Sequence, residues 1–427
     1  MKRNYLAALV ATCFALPALA QSSVTVYGIA DAGLMKTVGA PLRIVSGIAD
    51  GSRLGFKGTE DLGGGYKTIF TLESRIEMDT GSQKPTLLND NQGYYLTRGM
   101  SAMGALLPTV RTALQPSGAV AVNPEGALFD RTAMVGVITP VGAVLIGRMY
   151  TPAYEVFNAA DVFEAGTAGQ WGNITGGTAG FTALPVDIRS QKSIQYRIAD
   201  PKSGLGGAFM YGAKGSGYLG RYNKFYGLNL VYKANGFDVG LGHNRGYDQG
   251  DNLSLESTIL GGSYTVEDFK LFAGIARQKN DHSVLLGEYN AAWDLQLGPA
   301  ISAKLGAAGP ATVAALTPVY KNNIRNNLVV DATSIQVGMH YRVGAGRLMG
   351  SIARQNDLTT SNSDATQYSL GYDYNLSNRT DIYTVAAYIK NKNDAQYAAG
   401  AASAPGGFTS APGQSSRALQ VGIRHRF

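Results

Sequence analysis

The end of the chain alternates residue by residue. Between Ala418 and Phe427, Leu419, Val421, Ile423, His425 and Phe427 fall on one side of an extended backbone. Gln420, Gly422, Arg424 and Arg426 fall on the other. A period of two marks a strand with unlike faces. The pattern recurs upstream. Tyr226, Leu228, Leu230 and Tyr232 alternate with Gly227, Asn229, Val231 and Lys233, so aromatic residues bracket an apolar row. Ile194, Tyr196 and Ile198 alternate with Ser193, Gln195 and Arg197. Further alternating runs cover 335–343 and 367–376.

The connections alternate too. Short turn signals stand at 61–65, 140–142, 201–204, 235–236, 267–268, 344–346 and 377–379. Asn235-Gly236 between alternating runs is the strongest hairpin signal among them. Between the short turns lie long polar or Gly/Ala-rich stretches near 35–51, 78–128, 150–189, 214–223, 246–255, 279–332, 356–365 and 392–415. This reading predicts about sixteen strands, starting near 24, 52, 66, 129, 142, 190, 206, 224, 237, 256, 269, 333, 346, 366, 380 and 416. An even count lets the last strand pair with the first and removes exposed edges, as lipid demands. The predicted fold is therefore all-β: a 16-stranded antiparallel transmembrane β-barrel with short periplasmic turns and long extracellular loops. About 16 strands enclose an aqueous lumen, whereas about 8 are filled by side chains.

Composition agrees. No later segment offers about 18 uninterrupted apolar residues, the length a helical span requires. Mean hydropathy is −0.05, as expected when apolar and polar positions alternate and cancel. The N-terminus reads as a signal peptide over 1–20. Lys2 and Arg3 precede a short apolar stretch, Leu6 to Leu16, and Ala18-Leu19-Ala20 is a small-residue cleavage site. The barrel domain then spans 21–427. The single cysteine, Cys13, lies inside the leader, so the mature chain uses neither disulfides nor thiol chemistry.

The formal net charge of +7 falls to +5 once Lys2 and Arg3 are removed, and the basic residues are scattered along strands. That distribution argues against nucleic-acid binding. His243, His282, His340 and His425 form no metal-ligand spacing, so neither a metal nor a cofactor is expected. There is no Gly-x-Ser-x-Gly elbow and no phosphate-binding Gly-rich loop. A barrel enzyme would need a Ser/His or Asp/His constellation at one rim, and none stands out. An adhesin or phage-receptor role for the loops could coexist with a pore. The Ala/Gly-rich stretches 101–128 and 299–319 fit variable surface loops, or contacts with a neighbouring subunit or surface polysaccharide.

Several motifs, in order, resemble the trimeric general porins of Gram-negative bacteria, β-proteobacterial branch. They are Ser22 to Asp31, Ser52 to Gly65 followed by Phe70-Thr71-Leu72-Glu73, Phe129 to Gly136, Gly147-Arg148 with Thr151-Pro152, Leu370-Gly371-Tyr372 with Leu376 to Thr380, and Val421 to Phe427. The resemblance implies an outer-membrane channel for passive diffusion of small hydrophilic solutes and ions, with a modest anion preference. It implies a homotrimer surrounded by outer-membrane lipid and lipopolysaccharide. It also implies insertion by the barrel-assembly machinery, with Phe427 as the C-terminal assembly signal.

By the same resemblance, the loop at about 150–189 folds inward and constricts the lumen. Its aromatics Tyr154, Phe157, Phe163 and Trp171 would pack it on the wall, and its carboxylates would face the opening. The wall arginines carried over are Arg53, Arg131 and Arg189, with Glu73 and Asp161 facing or flanking them and Arg148 a further candidate. For Glu155 and Glu164, a solvated loop position fits as well as a place on the opening. Arg342, Arg424 and Arg426 read as wetted lumen or rim residues. A cation row facing an anion row would put a field across the gap, still effective within a Debye length of about 8 Å.

Overall fold

Where the chain alternates, it forms strands. The structure is a computed structural model that describes residues 23–84, 88, 91–114, 126–175, 188–217, 220–280, 282–404 and 406–427. The expected leader, 1–20, lies outside the described residues. Among those described, the strands are β1 (Ser23–Thr37), β2 (Arg43–Ser46), β3 (Arg53–Gly63), β4 (Tyr66–Arg75), β5 (Thr132–Thr139), β6 (Gly142–Tyr150), β7 (Arg189–Asp200), β8 (Leu205–Gly217), β9 (Lys224–Ala234), β10 (Phe237–Tyr247), β11 (Leu253–Val266), β12 (Phe269–Lys279), β13 (Asp331–Val343), β14 (Gly346–Asp357), β15 (Ala365–Asn375), β16 (Thr380–Asn391) and β17 (Ser416–Arg426). Sixteen run antiparallel around a closed barrel. The other, β2, is four residues long and pairs beside the barrel rim with Ala32–Met35 of β1.

Closure falls on β1, which pairs with β3 through Ser23–Ile29 and with β17 through Ile29–Thr37. The chain's last residue completes the seam. Gly28 N donates to the Phe427 carbonyl at 3.0 Å, and Phe427 N donates to the Gly28 carbonyl at 3.1 Å. A Cβ at residue 28 would stand 2.4 Å from the Phe427 ring, so the aromatic terminus needs glycine opposite it.

Burial is inverted relative to a protein in water. On β17, Leu419, Val421 and Ile423 are about half exposed, while Gln420 and Arg424 are buried. The apolar face therefore looks outward, which is stable only if the outside is hydrocarbon and the inside is polar. The connections are asymmetric as predicted. Asn235 and Gly236 close β9 onto β10 with φ values of 54° and 82°. Both φ values are positive, as a two-residue hairpin matching strand twist requires.

On the long-loop rim the structure departs from expectation. The stretch 299–319, read as a loop, is helical, within helices Gly298–Leu305 and Gly309–Asn327. Each has proline in its first turn, where the missing N–H costs nothing. The second helix buries Tyr320 and Ile324 and turns Val313 and Leu316 toward the same packing. Trp293 stacks on Tyr320 at 4.5 Å and donates to Thr317 Oγ1 at 2.9 Å. Part of the other stretch is helical too, over Ser101–Leu106 and Leu107–Ala113, while 115–125 lies outside the described residues. The two long loops that carry these stretches lock together: Asn327 Nδ2 donates to the carbonyls of Leu96 and Arg98, and Gln92 donates to the Tyr289 hydroxyl. Tyr95 meets Phe408, 4.6 Å between centroids, so the last long loop joins this packing.

Candidate functional site

The constriction begins from a buried aspartate that sequence reasoning did not single out. Asp31 points inward from β1 and is fully buried. Its carboxylate accepts from the backbone N–H groups of Ile48, Ala49 and Asp50 at 3.1, 3.0 and 2.8 Å, and from the Tyr383 hydroxyl at 2.6 Å. These bonds fold the loop after β1 into the lumen and set where Arg53 emerges at the start of β3. Backbone contacts extend the knot: Thr167 N and Ala402 N both donate to the Ile48 carbonyl. Gly166 packs so closely that a Cβ there would lie 2.0 Å from the Ala49 carbonyl oxygen. Three loops thus meet inside the barrel: the first, the one after β6 and the last.

The loop after β6 enters through a capped helix. Thr151 caps Pro152–Ala160, its hydroxyl accepting from Tyr154 N at 3.4 Å, with Pro152 in the first turn. An aromatic run ties loop to wall: Tyr150–Tyr154, Tyr154–Phe157 and Phe157–Trp171 stack at 5.2, 6.4 and 5.3 Å. Beyond the helix, Asp161 organises a tight turn. Its carboxylate accepts from Phe163 N, Ala165 N, Trp171 N and Gln336 Nε2, at 3.0 to 3.3 Å. The turn contains three non-glycine residues with φ near +57°, Glu164, Ala165 and Thr167. Such conformations cost about 1–2 kcal/mol each and persist where surrounding bonds over-determine them. Asp161 supplies those bonds. It is fully buried and does not line the open lumen, so its position is that of a loop organiser rather than a pore carboxylate.

Above this turn lies a cavity of about 640 Å³, lined by seven basic and four acidic side chains. Arg53, Arg131 and Arg189 stand together on it, at the loop-side ends of β3, β5 and β7. Tyr150 bridges two of them: its hydroxyl accepts from Arg189 Nη2 at 2.7 Å and from Arg131 Nη2 at 3.3 Å. The Arg189 guanidinium also lies 4.3 Å from the Tyr150 ring centroid. Glu73 is buried behind the group, 3.7 Å from Arg53, with Thr132 donating to it at 2.8 Å. Arg148 is buried in the wall, bonded to the Asp130 carbonyl at 2.8 Å, and is not among the side chains lining the cavity. Sequence reasoning missed Arg75, which lines the cavity and bonds the Ser403 carbonyl and Glu77.

Each acidic residue on the cavity is paired with a cation. Asp50 bonds Arg53 and Asp238 bonds Lys233. Glu155 takes two bonds from Arg197, at 2.7 and 2.6 Å, and a third from Asn229. Glu164 takes two from Arg347, at 2.8 and 3.1 Å. Burial would raise the Glu164 carboxyl, but the hydrogen bonds and charge of Arg347 outweigh it and hold the group at about 2. Of the loop carboxylates, Glu155 and Glu164 line the cavity. Each arrives already held by a wall arginine that sequence reasoning did not select, and the cavity is left with surplus positive charge. No group of three or more His, Cys, Asp or Glu side chains able to hold a metal occurs among the described residues.

The comparisons with known proteins agree with this architecture. A family profile described as Gram-negative porin matches residues 6–394. An outer membrane porin protein of Bordetella pertussis is 27% identical over 467 aligned positions, covering all of both chains. Outer membrane porin protein 32 of Delftia acidovorans is 27% identical over 96% of this chain and 95% of its own. Among solved structures, an anion-selective porin from Comamonas acidovorans superposes with a TM-score of 0.65 at 23% identity, over 95% of this chain and all of that one. The trimer form of OmpT from Vibrio cholerae superposes with a TM-score of 0.57 at 14% identity, over 95% of this chain and 99% of that one.

Proposed function

The chain belongs to the Gram-negative porin family, and from that premise we propose a constriction that passes small hydrophilic anions in preference to cations. The protein is an outer-membrane channel for passive diffusion and not an enzyme. The observation that carries the anion preference is the charge balance of the cavity: its acidic side chains are each engaged by a cation, while Arg131, Arg189 and Lys270 add to the basic side. Like charges held about 4 Å apart repel by about 4 kcal/mol at an effective dielectric near 20. An anion entering between the guanidiniums relieves that repulsion, and a cation worsens it. Glu73 behind the cluster limits the field so that an anion can leave as well as enter, which conduction requires. Arginine suits this place because its charge is permanent and its plane stacks, as Arg189 does on Tyr150.

The homologous anion-selective porin supports the sign of the preference, and the OmpT trimer supports a homotrimer. In the same reading, residues 1–20 are removed on export. Phe427, which closes the seam with Gly28, serves as the signal read by the barrel-assembly machinery. Outer-membrane lipid and lipopolysaccharide surround the trimer.

The test is a planar bilayer recording of the purified protein under a KCl gradient. Stepwise ohmic conductance is expected in groups of three, with a reversal potential on the chloride side. Replacing Arg53, Arg131 and Arg189 together by glutamate should move that potential to the potassium side. A wild-type potential on the potassium side would overturn the anion reading.

A further inference from the structure

We infer that Arg197 and Arg347 are selectivity-setting positioning residues, which act by cancelling the charge of the constriction loop's own carboxylates. The inference rests on the anion reading above for its sign. Glu155 and Glu164 stand on the loop after β6, which folds into the lumen, and both line the cavity. Left to themselves, they would face the arginine cluster as an anionic row and admit cations along their side. Neither is left to itself. Arg197 on β7 and Arg347 on β14 approach from the barrel wall and bond both oxygens of their carboxylates. Two-point guanidinium contact fixes orientation as well as charge, which a lysine cannot do.

The two clamps hold different parts of the loop, nine residues apart. Arg197 holds the first turn of helix Pro152–Ala160, assisted by Asn229, which donates to Glu155 Oε2 at 3.2 Å and to the Pro152 carbonyl at 2.9 Å. Arg347 holds the turn that Asp161 organises. Arg347 also reaches Asp373 at 3.2 Å, and its Nη1 lies 3.4 Å from His340 Nδ1. His340 in turn touches the Val162 carbonyl through Nε2 at 2.6 Å. Each pair contributes no net charge to the cavity, so the surplus on the arginine cluster is what a permeating ion meets. Remove a clamp and a carboxylate charge returns to the lumen. Remove a carboxylate and an arginine charge is added.

Reversal potential under a KCl gradient separates this from a mechanical role. Arg197→Gln and Arg347→Gln should each lower the anion-to-cation permeability ratio by about twofold, the effect of one unit charge roughly a Debye length from the ion path. Arg347→Gln should have the larger effect, because Asp373 loses a partner as well. Glu155→Gln and Glu164→Gln should raise the ratio. Glu164→Gln combined with Arg347→Gln should return most of the way to wild type, because the pair is then absent but neutral.

A merely mechanical clamp gives a different result: every variant raises conductance, and the double variant keeps the shift of its parents. That result, or unchanged potentials in both arginine variants, would overturn the inference. Should Arg347→Gln fail to form barrels, the glutamate variants still decide, because a ratio that does not rise in either of them overturns it as well. The cycle is read as differences from wild type. Failure of the anion reading would show in the wild-type potential itself, whereas failure of the clamp would show in the cycle.

Discussion

The lumen has two walls of different chemistry. Along β3 to β7 the inward side chains that matter are arginines, Arg53, Arg131 and Arg189, and they border open cavity. Along β13 to β17 stand three buried glutamines, Gln336, Gln367 and Gln420, beside charges that are paired, Arg347 with Glu164 and Arg424 with Asp381. The glutamines touch loop backbone. Gln336 accepts from Val162 N and donates to Asp161. Gln367 donates to the carbonyls of Gly169 and Gln170. Gln420 accepts from Ala168 N at 2.6 Å and donates to the Gly400 carbonyl at 3.0 Å. An irregular loop folded into a barrel brings N–H and C=O groups that strands no longer satisfy. An amide side chain can answer both kinds without a charge to be neutralised. Arginine answers only acceptors and needs water or a counter-charge. The placement follows: arginines where the lumen stays wet, neutral amides or paired charges where the loop packs on the wall.

The largest break in this division should come from Asp161, whose buried carboxylate organises the loop on the glutamine side. Asp161→Ala would leave three backbone N–H groups and the Gln336 amide without their acceptor. At about 1–3 kcal/mol per orphaned group, the turn loses several kcal/mol and no longer holds its left-handed residues. The barrel ladder itself is untouched. The expected outcome is a folded pore with higher single-channel conductance and weaker anion preference, because the loop no longer narrows the path. Unchanged conductance would mean that the loop is held by its aromatic stack and not by this carboxylate.

Gln420→Leu tests the glutamine wall alone, and a smaller effect is expected. It orphans one N–H and one C=O, costing about 1–3 kcal/mol each. Thermal unfolding followed by electrophoretic mobility should occur at a lower temperature, with reversal potential nearly unchanged. Arg131→Leu should do the opposite, shifting the potential with little effect on unfolding. A common response of both variants would erase the distinction between the walls.

How much of this was legible depends on the range over which each feature is encoded. The strands were readable because two solvents, lipid and water, press opposite demands on neighbouring residues. Predicted and observed strand starts therefore agree closely, for example at 66, 142, 224, 237, 269, 346, 380 and 416. The helix Gly309–Asn327 carried its own signal, since Val313, Leu316, Tyr320, Ile324 and Asn327 recur at three- and four-residue spacing. Abundant Ala, Gly and Pro drew the reading toward loop instead. The strand β2 is too short for any period to show. At the site, the cluster Arg53, Arg131 and Arg189 was reachable through motif resemblance, but the clamps were not. Glu164 and Arg347 lie 183 positions apart, and nothing local to either names the other. Asp31 was hidden for a similar reason. A single acidic residue on the inner face of a strand is ordinary in a barrel, and only the folded first loop gives it three N–H groups to hold.

The smallest effect expected is a null with a defined edge, and it bears on whether the Glu164–Arg347 clamp is formed in solution. A carboxylate ordinarily titrates near 4.3. Glu164 is held at about 2, so its folded-state value is depressed. A depressed carboxylate contributes stability that is fully present above the ordinary value and is lost only as pH falls through the folded one. Between pH 7 and about pH 4, then, the tie to Arg347 should neither weaken nor change charge. The part of the anion preference that depends on Glu164 should stay flat over that range. The comparison needed is wild type against Glu164→Gln, since other lumen carboxylates titrate in both and cancel in the difference. A flat difference down to about pH 4 agrees with a closed clamp. If the difference between the two proteins collapsed with a midpoint near 4.3, Glu164 would be titrating as a free loop carboxylate. The turn that carries Glu164 would then belong to the wet wall, and the division between the two sides of the lumen would have to be drawn elsewhere.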